Sequence, residues 1–208
     1  QNSNGYIAIL GSVVGYTYGH ISNVYSNATV VSNRKFVGGI IGYSESASLS
    51  NVWFDGNITV TDAHGREVGG IMGVLGNSKT YENMLYTGTI TYGTDRDDTG
   101  IGGIAGVIYA KTTPTLKNVI SAGSIVKGNW AGDRGVVGSV VGLVNNNAKV
   151  TIQNVYATTE TWSATHNIAK DCTATIDGTI ATTTKANLYG DAAKTNAPNL
   201  DYTNSWVT

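Results

Sequence analysis

The segment Asp95-Arg-Asp-Asp98 is the densest run of carboxylates in the chain. Clustered carboxylates with loop carbonyls are what Ca²⁺ takes, so Asp95, Asp97 and Asp98 are the metal candidates. The glycine and distal glutamate of a full calcium loop do not follow, so the expected cofactor set is none, with a weak calcium site as the alternative. The three histidines, His20, His64 and His166, stand apart and form no His-Glu-x-x-His zinc pattern. Glu45, Glu67, Glu82 and Glu160 fall at unrelated places and suggest no acid–base pair. The glycine-rich run from Gly100 to Gly106 resembles a dinucleotide loop only until its copies elsewhere are noticed. The single cysteine, Cys172, excludes an intrachain disulfide and reads as a small buried apolar residue. No catalytic residue is assigned, and the expectation is that the chain is not an enzyme.

What remains is a set of aromatics and a recurring asparagine, and the composition says what kind of fold must position them. Charged residues make up 13% and the net charge is -1, which removes the basic face that nucleic acid requires. No apolar run approaches the length of a membrane span. Glycine is abundant at 27 residues and proline scarce at 2, beside much Thr, Asn and Ser. Strand-favouring residues with frequent turn residues and no helical apolar spacing predict an all-β chain. The chain opens at Gln1 and shows no signal peptide, so it reads as a mature or excised part of an exported protein.

Self-comparison shows how those strands are organised. An apolar block recurs as Leu10-Gly-Ser-Val-Val-Gly15, Val37-Gly-Gly-Ile-Ile-Gly42, Val68-Gly-Gly-Ile-Met-Gly73, Ile101-Gly-Gly-Ile-Ala-Gly106 and Val137-Gly-Ser-Val-Val-Gly142. Each is followed by a second block centred on Asn23, Asn51, Asn83, Asn118 or Asn154, with a degenerate copy at Asn187. In the second block apolar residues lie three apart, as Ile21 and Val24 do. A flat strand sends such residues to opposite faces, so a bend at the asparagine is expected to return both to the core. Asparagine suits a left-handed bend. Three short strands per unit then make one rung of a parallel β-helix-like solenoid, with about five to six repeats of 28–36 residues. Stacked rungs would bring Asn23, Asn51, Asn83, Asn118, Asn154 and Asn187 into a buried amide ladder. Residues 1–166 are read as the five-repeat array, and 167–208 as a degenerate sixth repeat with a C-terminal cap over the last rung.

The blocks resemble the GLUG-motif repeat of large bacterial surface proteins. The family's Gly-Leu-x-Gly-like tetrad is matched by Gly39-Ile-Ile-Gly42, Gly70-Ile-Met-Gly73 and Gly103-Ile-Ala-Gly106, and its Asn-aromatic stretch by Asn23–Tyr25, Asn51–Trp53 and Asn154–Tyr156. Ser12 and Ser139 replace the tetrad glycine in the first and fifth copies. The resemblance spans roughly residues 5 to 190 and implies an extracellular or cell-surface location and a structural role. The expected function is an adhesive repeat module that contacts a host protein or glycan, or copies of itself. The alternatives are a polysaccharide-acting β-helix enzyme and the subunit of an extracellular filament. Tyr25, Trp53 and Tyr156 are expected to pack within the repeats. Tyr43, Tyr92, Tyr109 and Trp130, near turns, are the binding candidates, since aromatics anchor recognition at low entropy cost.

Overall fold

A computed structural model describes residues 8–61, 67–93, 99–128, 136–158, 166–171, 173–200 and 202. The second block shows how the repeat folds. Along Leu49–Phe54, Leu49, Val52 and Phe54 point inward while Ser50, Asn51 and Trp53 point away. The alternation shifts at Asn51, whose φ is 55°, and Asn23, Asn83, Asn118 and Asn154 adopt the same left-handed bend at 57°, 54°, 53° and 54°. Strand pairing runs through the residues on either side and skips the asparagine. The bend expected from the three-residue spacing is therefore present in every copy.

All strand pairs are parallel, and the described rungs stack into a β-solenoid. Each full rung contributes four strands, not three. The tetrad block breaks at its central glycines into two short strands on different sheets, such as Val37–Gly38 and Ile41–Ser44. A Cβ on Gly38 would lie 1.9 Å from the carbonyl oxygen of Ile41, so only glycine permits that corner. The resulting faces are a leading sheet, a tetrad sheet, an asparagine sheet and a trailing sheet, the last holding Thr29–Ser32, Asn57–Val60, Thr89–Tyr92 and Ser124–Lys127.

Register places like on like. The interior columns are Ile21, Leu49, Tyr81, Leu116, Ile152 and Val24, Val52, Met84, Val119, Val155 on the asparagine sheet, with Val30, Ile58, Ile90, Ile125 opposite on the trailing sheet. From the second rung onward these side chains are almost completely buried. Tetrad glycines meet large rings across this core: a Cβ on Gly70 would sit 2.4 Å from the Tyr86 ring, and one on Gly39 2.5 Å from Phe54. The serine in the first copy follows from the facing residue. Ser12 faces Ser26, with its Oγ 2.8 Å from the Ser26 Oγ, so a small polar side chain fits where a ring is absent.

Two expectations are corrected beyond residue 166. A partial sixth rung is formed by Ile168–Asp171, Thr175–Asp177 and Ile180–Thr183, so the rung ends before Asn187. The bend of this rung falls at Gly178, at φ 104° and against Ile152, and Thr179 stands before Ile180 where the other rungs have the asparagine, so the ladder ends at Asn154. Asn187 instead sits in a 3₁₀ turn, Lys185–Leu188, and donates to Thr183 Oγ1 at 2.9 Å. The chain then enters helix α1, Gly190–Asn196, and its described residues lie against the flank of the asparagine sheet, while residues 203–208 of the expected cap lie outside the described residues. Leu188, Ala197 and Leu200 cover Ile120, Ala122 and Tyr156 there.

Candidate functional site

The amide ladder is continuous over five rungs. Asn51 donates to Asn23 at 3.0 Å, Asn83 to Asn51 at 2.9 Å, Asn118 to Asn83 at 3.1 Å and Asn154 to Asn118 at 3.0 Å. It runs on the outside of the solenoid, which corrects the buried placement. Asn23 and Asn51 are exposed, and Asn118 is buried on the part of the flank where the C-terminal segment packs on Ile120 and Tyr156. Asn154 shows the contact directly, donating also to the Asn199 carbonyl at 3.1 Å.

Two residues after each asparagine comes a second outward row: Tyr25, Trp53, Leu85, Ile120 and Tyr156, in register. The C-terminal segment buries Ile120 and Tyr156 to 4% and 6% exposure, whereas Trp53 and Tyr25 remain 40% and 54% exposed. Beside the described part of the covering segment lies a groove of about 730 Å³, with Tyr25, Trp53 and Asp55 on its floor and Lys185 and Tyr189 on its far wall. Exposed apolar area rimmed by polar groups marks a contact surface.

The groove's aromatic floor is held in place. The Trp53 indole N–H donates to Thr87 Oγ1 at 2.7 Å, and the Thr87 hydroxyl donates to Asp55 Oδ1 at 2.6 Å. The Tyr25 ring leans on the indole at 4.6 Å between centroids. On the far wall the Lys185 ammonium lies 6.0 Å from the Tyr189 ring centroid. Asp55 is the single carboxylate among the groove's described lining residues.

The binding candidates read from the sequence lie elsewhere. Tyr43 and Tyr109 meet edge to face at 5.5 Å, and Tyr43 also stacks on Tyr16 at 5.1 Å and touches Phe36. Burial pushes the Tyr43 hydroxyl above the ordinary phenol range, with a hydrogen bond to Glu45 adding to it, and burial raises Tyr109 too. Tyr92 is 2% exposed and belongs to the core, because its place in the trailing strand alternates inward. Trp130 lies outside the described residues, as do Asp95, Asp97, Asp98, His64 and Cys172. Among the described residues no three His, Cys, Asp or Glu side chains gather as a metal site, and no helix is long and apolar enough to cross a membrane. His20 is bound through both ring nitrogens to serines, Ser48 at 2.8 Å and Ser50 at 3.2 Å.

Tyr25 and Trp53 were expected to pack, and the signal that they do not was present in the sequence. Once the asparagine bend returns the following Val to the core, the next residue must face outward, and it is apolar in five consecutive copies. Against known proteins, no family model, no curated protein and no solved structure matches this chain.

Proposed function

We propose that this chain is an extracellular or cell-surface repeat module with an adhesive role, holding a partner in the groove beside helix α1. The observation that carries this reading is the exposed Tyr25–Trp53 pair, oriented by the Thr87–Asp55 relay on a row that is otherwise covered. Pre-oriented aromatics lose little entropy on binding. The parallel stack supplies a rigid backing, and the GLUG-like tetrads support a surface location. A non-catalytic role is favoured over the polysaccharide-acting enzyme because glycoside hydrolysis in its common form needs two carboxylates, and the described lining supplies Asp55 alone.

The test is solid-phase binding of the protein to panels of extracellular-matrix proteins and glycans, with Trp53→Ala and Tyr25→Ala alongside. At least one ligand class should be retained by the native chain and lost by both variants, with no turnover of any glycan. Binding that ignores both substitutions would remove the groove from the function. Turnover that depends on Asp55 would make the chain an enzyme.

A further inference from the structure

We infer that the groove takes a neutral glycan chain, laid along the solenoid axis with sugar rings on Tyr25 and Trp53; this rests on the adhesive reading above. A sugar ring has an apolar C–H face and a rim of hydroxyls, and the groove offers the complementary pair of surfaces. Its floor is two aromatic faces presented by adjacent rungs. Beside them, Asn51 spends one N–H and one oxygen lone pair on its neighbours, and Asn23, at the end of the ladder, spends one oxygen lone pair. An amide carries two of each, so Asn23 and Asn51, both exposed, keep a donor and an acceptor for a ligand hydroxyl. Asp55 uses Oδ1 for Thr87, and its Oδ2 has no partner among the described residues. A carboxylate next to an aromatic plane binds sugar hydroxyls with charge-assisted strength, and the neutral amides add ordinary hydrogen bonds.

Charge and size decide against the other occupants. The described lining carries one carboxylate and one ammonium, Asp55 and Lys185, so it has no surplus charge to attract a polyanion or a basic peptide. A folded protein partner of standard kind covers about 800 Å² on each side. The uncovered part of the outward aromatic row spans only the first two rungs, Tyr25 and Trp53. Both hydrogen-bonding amides and aromatic faces repeat at the rung spacing of about 4.8 Å, which favours a polymer with its own short repeat over a single compact molecule.

Soluble hexasaccharides of neutral sugars (cello-, malto-, manno- and xylo-series) are titrated into the native protein by calorimetry and by tryptophan fluorescence, with oligogalacturonate and heparin hexasaccharide as charged comparisons. One neutral series should bind with weak salt dependence and shift the tryptophan emission. Trp53→Ala should weaken it at least about tenfold, equal to about 1.4 kcal/mol. Tyr25→Ala and Asp55→Asn should weaken it by about three- to tenfold, on the scale of one stacking or charge-assisted contact. Tyr18→Ala, in the separate Tyr16–Tyr18 cluster, should leave binding unchanged. Thermal melting of each variant separates loss of the site from loss of the fold. Absence of binding by every neutral series, preference for the charged sugars, or equal affinity in Trp53→Ala and Tyr25→Ala overturns the glycan assignment. If the native chain instead holds a matrix protein through Trp53, the glycan is wrong and the adhesive reading stands.

Discussion

Each ladder asparagine performs two tasks that substitution can separate. Its backbone adopts φ near 55°, which costs an ordinary residue roughly 1–2 kcal/mol, and its side chain joins the rungs above and below. Asn118→Gly relieves the backbone but deletes the amide, whereas Asn118→Ala loses on both counts. Denaturant unfolding is expected to show a cost of about 1–3 kcal/mol for the glycine variant, because Asn83 and Asn154 are left short of partners in a partly buried site. The alanine variant should cost a further 1–2 kcal/mol or so. Asn51→Gly, on the exposed stretch, should cost less than Asn118→Gly because water replaces the lost bonds. Asn187→Ala should fall within about 0.5 kcal/mol of native, since that side chain bonds locally, to Thr183 four residues earlier, and not to another rung's asparagine. A cost at Asn187 equal to that at Asn118 would contradict the ladder's end at Asn154.

At the scale of the element, stability rests on the meeting of a glycine column with large rings. Gly70→Ala places a methyl 2.1 Å from the Gly103 carbonyl oxygen and 2.4 Å from the Tyr86 ring, so the rung must move. A loss of about 1–3 kcal/mol or more is expected, against almost none for Gly19→Ala, which has no neighbour within 4 Å. The same interior rings make the fold alkali-sensitive. Burial pushes the Tyr81 hydroxyl up to about 12, and burial also raises that of Tyr86. An unfolded tyrosine ionises near 10, so the folded state keeps protons that the unfolded state has lost. The contribution is whole below about pH 10 and declines as pH rises through about 12, by at most roughly 1.4 kcal/mol per group per pH unit. Melting temperature should fall across that window, and the Tyr81→Phe/Tyr86→Phe double variant should show a shallower fall. An unchanged slope would mean that neither hydroxyl is held neutral by the core.

At the scale of the whole molecule, the C-terminal segment decides how much of the outward row meets solvent. Deleting residues 184–208 uncovers Ile120, Ala122 and Tyr156 beside the already exposed Trp53 and Tyr25, joining them into one apolar strip along the asparagine sheet. Strips of that kind promote association. The truncated protein should bind a hydrophobic dye and scatter light at concentrations where the native chain does neither, while circular dichroism still reports β structure. Scattering relieved by adding Tyr156→Ser and Ile120→Ser locates the cause on the flank. Scattering that persists in this variant points to the open strands at the end of the stack instead.

The repeat, the parallel solenoid and the asparagine bend were legible in the sequence because each is a local rule applied at every rung. Ile21 and Val24 can share a core only if the chain bends between them, and copies of the same block stack only in register. The corner at Gly38 was hidden, since a run of small and apolar residues reads the same whether it stays on one face or turns onto two. The direction of the ladder was not local either. A bend specifies that Asn23 leaves the plane of pairing, while the side that becomes interior depends on which face meets the trailing sheet. The groove is least legible of all: it exists because residues 184–202 lie on rungs up to about a hundred residues earlier in the chain, with no periodicity to announce the contact. Apolar burial is non-directional, so the sequence determined that Leu188, Ala197 and Leu200 would be covered somewhere. Only tertiary packing decided that they would cover Ile120 and Tyr156, and leave Tyr25 and Trp53 open.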